Sequence, residues 1–180
     1  MLETERLRLR RFCDDDLEAV HRWHTNQRFM RHMGRGLFAP DETEAALRRY
    51  ADHWDEHGFG IVAAEDRATG ALIGRTGVAY HRAWPHDPEV GWAFDPEWWG
   101  RGLATEAGGA CVAWAFGPLG FDRVVSITVP ENAASIRVMT KLGFSLLERV
   151  PFDELQLTLW VHACDALGRG QPARPASRLT

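Results

Sequence analysis

The chain has 180 residues, of which 45% are hydrophobic and 26% are charged, and its formal net charge is −4. This length and composition indicate one globular domain that is large enough to bury a hydrophobic core without disulfides or structural metal ions. The acidic balance argues against nucleic acid as the main partner, and since no apolar run is long enough to cross a bilayer, no membrane association is expected.

Hydrophobic periodicity divides the first half of the chain into strands and helices. Leucines alternate with arginines in the first segment, which predicts a strand with one solvated face. Apolar residues at helical spacing follow, and then two runs of β-type separated by a turn. In chain order the predicted elements are a strand over 5–12, helices over 14–26 and 41–57 with an irregular stretch between them, and a hairpin of strands over 59–66 and 71–80.

The second half alternates strands and helices, after a predicted loop that contains Trp84 and His86. Its predicted elements are strands over 89–95 and 123–129, a helix over 103–116, a helix within 131–144 that is capped by Asn132 and Gly143, and closing strands over 144–150 and 155–163. This order predicts an α/β (α+β) domain over 1–165, with a mixed, mostly antiparallel central sheet of six or seven strands flanked by about four helices. A segment rich in Gly, Pro and Arg, 166–180, is predicted to be a disordered tail.

The segment 95-DPEWWGRGLATEAGG-109 places two glycines directly before a helix. Gly100 and Gly102 allow the backbone to approach a ligand closely, and the first turn of a helix has free N–H groups that bind phosphate. Arg101 adds a charged contact. A Gly-x-Gly turn is a weak signal by itself, and neither the P-loop nor the dinucleotide fingerprint is present.

The strand before this loop has one nearly bare face. Because side chains alternate along a strand, Glu89, Gly91 and Ala93 lie on the same side. A narrow ligand with amides of its own fits such a face, as a peptide does when it adds to a sheet. The pantetheine arm of coenzyme A is a ligand of this kind, and its pyrophosphate would then lie at the start of the helix.

Two motifs carry a family resemblance. The run 89-EVGWAFDPEWWGRGLATEA-107 resembles the acyl-CoA-binding motif of the GNAT N-acetyltransferase superfamily, and 131-ENAASIRVMTKLGF-144 resembles its second signature. The opening 3-ETERLRLRRF-12 is similar to the branch that includes the ribosomal-protein N-terminal acetyltransferases. The likeness covers roughly residues 3–163. The loop pattern Gln/Arg-x-x-Gly-x-Gly/Ala falls on 99-WGRGLA-104, so Trp99 stands where Gln or Arg is usual.

The resemblance implies transfer of an acetyl group from acetyl-CoA to a primary amine, by direct attack in a ternary complex. The acceptor would be a protein N-terminus or a small molecule, and the protein would act as a monomer or homodimer. Asn132 is expected to contact the cofactor and also to cap a helix. The implied cofactor-binding residues lie on the strand, the loop and this cap: Trp92, Ala93, Phe94, Trp99, Gly100, Arg101, Gly102, Leu103, Ala104, Thr105 and Asn132.

The catalytic residues are less evident. Many family members have a tyrosine seven residues after the Asn as the acid for the leaving thiolate, but here that position is Met139. The resemblance suggests Ser135 as its substitute, although Ser135 also suits a capping role. Glu89 is the candidate base, with a solvated strand-end carboxylate as the alternative. Asp95 and Glu106 are weaker candidates.

The missing tyrosine leaves a second class of function open, a non-catalytic acyl-CoA-binding sensor or interaction module. A third interpretation, a phosphate-binding module for another nucleotide, depends on the loop alone. Release of free CoA in the presence of an amine separates the first class from the second, since cofactor binding is common to both.

The acceptor cleft is predicted in the N-terminal helices and the loops, where aromatic residues are frequent. For most of these residues a place in the core is the alternative. The predicted lining consists of Phe29, Met33, Trp54, Trp84 and His86.

Eight histidines and three cysteines raise the question of a metal. His21 and His24 are three residues apart and His53 and His57 four apart, but no acidic or cysteine partners complete a site, so no metal is expected. The cysteines are widely spaced and form no disulfide framework. A cytoplasmic location is therefore expected.

Overall fold

The computed structural model describes residues 2–34 and 36–166, which form one sheet with helices on both faces. The strands are β1 (Leu2–Glu3), β2 (Leu7–Arg10), β3 (Ile61–Asp66), β4 (Leu72–His81), β5 (Trp84–Phe94), β6 (Arg123–Thr128), β7 (Ser145–Phe152) and β8 (Leu157–Asp165). The helices are α1 (Leu17–His24), α2 (Gln27–Met30), α3 (Pro40–His57), α4 (Leu103–Phe116) and α5 (Ala133–Lys141). Of the predicted disordered tail, 166–180, all but Ala166 lies outside the described residues.

The sheet has the strand order β1-β2-β3-β4-β5-β6-β8-β7. Neighbouring strands are antiparallel, with the exception of β5 and β6, which are parallel and share the single register pair Glu89↔Val125. Beyond this pair the N–H of Ile127 donates to the Glu89 side chain, at 3.4 Å, instead of to a carbonyl of β5. The two strands therefore part at Glu89, and a cleft opens between their carboxyl ends.

The two faces of β5 pack against different helices. Val90 and Phe94 belong to the main core, together with Leu103 and Cys111 of α4. Ala93, on the opposite face, packs in a second cluster with residues of α1 and α2. The cleft between β5 and β6 consequently lies between α4 on one side and the N-terminal helices on the other.

The predicted mixed, mostly antiparallel sheet is confirmed, but the described residues contain eight strands and five α-helices, more than predicted. β1 has two residues and α2 four, which is too short for a periodic pattern. β5 begins at Trp84, within the segment that was predicted to be a loop. The loop was predicted because the prolines in this segment suggested a break in the strand. The pairing shifts register between Ala79 and His81, and prolines are tolerated at such irregularities. No described helix is both long and apolar enough to span a membrane.

Candidate active site

The loop that joins β5 to α4 is fixed by its two tryptophans. Trp99 donates from Nε1 to the Phe94 carbonyl at 2.7 Å, although its side chain is largely exposed. Trp98 packs against the main core, and the Arg101 guanidinium lies 4.6 Å from its ring centroid. The bulky residues thus hold the loop to the end of the strand, while the backbone after them remains accessible.

The N-terminus of α4 presents backbone donors. Gly100 and Gly102 have φ values of 77° and 78°, the left-handed region that favours glycine. No side chain caps the helix, and the Gly102 carbonyl accepts from the N–H groups of Thr105 and Glu106, each at 3.1 Å. Among the described residues, the N–H groups of Gly102, Leu103 and Ala104 have no acceptor. This end of α4 can bind an anion.

Residues of the N-terminal segment form hydrogen bonds with the start of α4. Arg6 donates from Nη1 to the Arg101 carbonyl at 2.8 Å and from Nε to Glu106 at 2.7 Å, and Thr4 donates to the same carboxylate. Burial by itself raises the pKa of Glu106, but hydrogen bonds from Thr4 and Arg6 outweigh it and hold that pKa below its ordinary value. Glu106 is therefore an ionised partner of Arg6, which accords with its weak standing as a candidate base.

Glu89 lies where β5 and β6 part. The Oε1 atom of Glu89 accepts a hydrogen bond from the Ile127 N–H. The same oxygen lies close to Gly91, since a Cβ atom added to that glycine would be 3.7 Å from it. The carboxyl therefore extends along the bare face of β5. Burial raises the pKa of Glu89, while electrostatic interactions with His81 and Arg75 and the hydrogen bond from the Ile127 N–H oppose that shift. A carboxyl with a raised pKa is a stronger proton acceptor when ionised.

Asn132 and Ser135 lie at the start of α5, on the other side of the cleft. The Asn132 side chain accepts from the Ser135 N–H at 3.2 Å, so the predicted cap is present. Ser135 is half-buried in the first turn of the helix. Met139, which occupies the position of the family tyrosine, is fully buried and has no access to the cleft.

The side chains of the remaining β5 residues that were predicted to bind the cofactor pack against helices on the two faces of the sheet. Trp92 packs against α4, where a Cβ on Gly108 would lie 3.0 Å from its ring, and the Phe94 side chain is in the main core. Ala93 packs against the helices of the second cluster. A ligand in the cleft therefore meets the backbone of this strand and not these side chains.

Asp95 has a structural role. It caps the short 3-10 helix Pro96–Trp98 by accepting from the Glu97 N–H at 3.0 Å, and it accepts from Trp23 Nε1 at 3.2 Å. These bonds occupy both carboxylate oxygens, so Asp95 is poorly placed as a base.

A cavity of about 410 Å³ lies beside the bare face of β5. Phe29 and Met33, two of the predicted acceptor residues, line it. The other lining residues come from α1, α2, α3, β4, β7 and the segments that connect the elements. They are mainly aromatic, apolar or cationic: His24, Met30, Phe38, Ala46, Arg49, Tyr50, Arg75, His81, Arg82, Phe152 and Leu155. Its volume is in the range of small-molecule sites.

Comparison with known proteins identifies the family. Residues 6–145 match the acetyltransferase (GNAT) domain. The chain belongs to the GNAT acetyltransferase family. It is 30% identical over 142 residues to the uncharacterized N-acetyltransferase YnaD of Bacillus subtilis (strain 168), a span that covers 79% of this chain and 81% of the relative. The protein is thus an acetyl-CoA-dependent acetyltransferase.

Solved structures agree with this assignment. An acetyltransferase from Agrobacterium tumefaciens superposes with a TM-score of 0.81 and 28% identity, over 92% of this chain and 94% of that one. The ribosomal-protein acetyltransferase RimL, in complex with coenzyme A, has a TM-score of 0.75 and 14% identity, over 90% and 95% of the two chains. At 14% identity the similarity to RimL shows a shared fold and no more.

Three residues predicted to bind the acceptor do not line the cavity of this GNAT acetyltransferase. Trp54 donates to the Ile61 carbonyl at 2.9 Å and stacks on Trp114. Trp84 donates to Asp87 at 3.1 Å, and the exposed His86 lies edge-on to its ring. Their aromatic character indicated a cleft, but a sequence does not show which side of the sheet each ring occupies.

Sequence reasoning missed the cationic part of the cavity of this GNAT acetyltransferase. Arg75 lies in the middle of the apolar run 71–80, and a lone charge in such a strand is a signal that was available. Arg49 and His81 gave no comparable signal. Among the described residues, no group of three or more His, Cys, Asp or Glu side chains is placed to hold a metal ion.

Proposed function

We propose that this acetyltransferase acetylates a primary amine by direct attack within a ternary complex. The observation that carries the proposal is the position of Glu89, at the point where β5 and β6 part. The donors at the start of α4 lie beyond one end of the cleft, and the cavity that contains Phe29 and Met33 lies beside it. Cofactor, base and acceptor would therefore meet at one place.

The cleft fits acetyl-CoA. The free N–H groups of Gly102, Leu103 and Ala104 would donate hydrogen bonds to its pyrophosphate, with Arg101 and the backbone of 99–105 around them. The unpaired edge of β5 over 90–94 would hold the pantetheine arm, and Asn132 lies opposite. When bound, acetyl-CoA supplies an acetyl group activated as a thioester.

The residues of this chain would then manage the protons. An amine must be neutral to attack, and Glu89 is placed to accept its proton. A backbone N–H of β5 would stabilise the charge that develops on the carbonyl oxygen. A C–N bond forms, the C–S bond breaks, and Ser135, in the first turn of α5, would deliver the proton that the departing sulfur takes up.

Calorimetric titration with acetyl-CoA, beside ATP and NAD, tests the cofactor. Binding of acetyl-CoA alone is expected, and a folded protein that binds ATP or NAD equally well would contradict the assignment of the loop. A thiol assay with a panel of primary amines then tests transfer. Tight binding of acetyl-CoA without thiol release from any amine would favour the non-catalytic sensor.

A further inference from the structure

One guanidinium in the cavity has no anionic partner. Arg75 Nε is buried without a hydrogen-bond partner. Among the described residues the side chain forms no ion pair, although its charge acts on Glu89 and lowers the pKa of that carboxyl. Its contacts are the Met33 sulfur, at 3.7 Å from Nη2, and the Tyr50 ring, whose centroid is 5.7 Å from Cζ. Since arginine stays charged in proteins, a partly buried guanidinium without an anion is unfavourable.

The position of Arg75 connects it to the reaction. Arg75 pairs with Ala93 and Ala79 pairs with Glu89 across β4 and β5, so Arg75 and Glu89 project from the same face of the sheet. Four residues along a strand separate the two pairs, roughly 13 Å. Both side chains are long and shorten that distance. A ligand group at Arg75 is thus within the span of a small molecule whose amine is at Glu89.

The charges around the cavity have one sign. Arg49 and Arg82 line the same cavity, and none of the lining residues is acidic. Arg82 has a partner, Glu154, at 2.8 Å, whereas no ion pair is found for Arg49 among the described residues. Such a lining repels polyamines and other polycations and attracts an anion.

The rest of the lining is apolar. Phe29, Met33, Phe152 and Leu155 face the same space of about 410 Å³. This volume accommodates a compact molecule, and its walls suit an aromatic or branched group. The cavity thus combines an apolar wall with a guanidinium that forms no ion pair. Two of its lining residues, His81 and Arg75, are close enough to Glu89 to act on it electrostatically.

We infer that the acceptor is a small primary amine that carries a carboxylate or phosphate group together with an apolar group, and that Arg75 binds its anionic group. This inference rests on the proposed function, because it uses the same site. Arg75 is assigned to recognition and Glu89 to the chemistry.

Matched pairs of amines test the inference. Phenylalanine is compared with phenethylamine and tyramine O-phosphate with tyramine, so that each anionic amine also carries an aromatic group. Spermidine and a tetrapeptide with an acidic N-terminal residue are run beside them. Thiol release gives kcat/KM for each. At least one anionic amine is expected to exceed its neutral partner by about tenfold or more, as one hydrogen-bonded charge contact would give.

Variants of Arg75 test whether this residue causes the preference for anionic amines. Arg75→Met keeps the length of the side chain and should abolish the preference, and Arg75→Lys should retain part of it, because lysine keeps the charge but not the planar fork. Arg48→Met is the control, since Arg48 is exposed and paired with Glu44 outside this cavity. Thermal melting checks that each variant is folded.

Each outcome is informative. Equal rates for neutral and anionic partners, faster turnover of spermidine or of the peptide, or a preference that persists in Arg75→Met would overturn the inference and leave the proposed function intact. Calorimetry on the protein with CoA covers the remaining case. Anionic amines that bind through Arg75 without turnover would keep Arg75 as the anion-binding residue and refute the transfer, and a panel that neither binds nor reacts would refute the inference.

Discussion

Gly102→Asp separates the folding role of the loop from its binding role. Gly102 has φ 78°, and a Cβ there would meet only Arg6 Nη2, at 3.6 Å, so the space for a side chain exists. The backbone strain costs roughly 1–2 kcal/mol. For a protein of this size that lowers Tm by about 2–8 °C. The variant is therefore expected to fold.

The same substitution should abolish cofactor binding. A carboxylate at the start of α4 accepts hydrogen bonds from the N–H groups that a pyrophosphate needs, and it repels the phosphates as well. Each hydrogen bond to a charged group contributes about 1.5–3 kcal/mol, which is roughly tenfold to 150-fold in Kd. Loss of two such bonds predicts at least about 100-fold weaker binding of acetyl-CoA.

The control is Gly58→Asp. Gly58 has φ 74°, nothing within 4 Å of its Cβ position, and a location at the end of α3. It carries the same strain without access to the cofactor loop. Calorimetry with acetyl-CoA and thermal melting should show similar losses of Tm in both variants and weaker binding in Gly102→Asp alone. A folded Gly102→Asp with a Kd within about threefold of the wild type would refute the assignment of the loop.

Three further predictions follow from the site and the core. Glu89→Gln should lower kcat by about 100-fold or more with little change in the Kd for acetyl-CoA. Because the base must be ionised and burial raises its pKa, kcat/KM should rise with pH through a midpoint above the ordinary carboxyl value, and a pH–rate profile of the variant should lack that limb. Ser135→Ala should lower kcat without lowering Tm, and unchanged turnover would assign the proton to solvent. Asp16→Ala should cost about 1.5–3 kcal/mol in urea unfolding, because Asp16 is buried against Arg10 at 2.7 Å while Arg10 keeps its ion pair with Glu65. Glu44→Ala, at an exposed pair, should cost less than about 1 kcal/mol.

The stability that the Asp16–Arg10 pair contributes depends on pH, and the sign of this dependence follows from the pKa of Asp16. Burial raises the pKa of Asp16, but hydrogen bonds from Arg10 and Cys13 outweigh it and hold that pKa below its ordinary value. The pair therefore stabilises the fold fully above the unfolded pKa of Asp, and this contribution is lost as the pH falls through the lower, folded value. Unfolding at pH 7 and at pH 3 should differ less in Asp16→Ala than in the wild type.

Local chemistry made much of the fold predictable. The helix over 103–116 was predicted with its observed bounds, because two glycines precede a run of small helix-forming residues. The helix predicted over 41–57 is observed over Pro40–His57, with a proline in its first turn and Gly58, at φ 74°, as its C-cap. The cap at Asn132 is likewise a local signal. These features depend on the preferences of a few adjacent residues, which a sequence states directly.

The divergence of β5 from β6 could not be predicted in this way. It depends on a contact between residues far apart in the chain, since the Ile127 N–H of β6 donates to the side chain of Glu89 in β5. The cavity was equally out of reach, because residues as far apart as His24 and Leu155 line it together. The aromatic residues that sequence reasoning assigned to it divided between the cavity and other sides of the sheet, as Trp54 shows.

The single register pair between β5 and β6 has a consequence for how the active site is shaped. With so little backbone pairing across the gap, side chains underneath set the spacing of the two halves of the sheet. Gly108 is the tightest point there, since a Cβ on it would lie 2.8 Å from Leu142 and 3.0 Å from Trp92. The width available to a substrate is thus controlled by side chains on the α4 face of the sheet, opposite the face that carries Glu89.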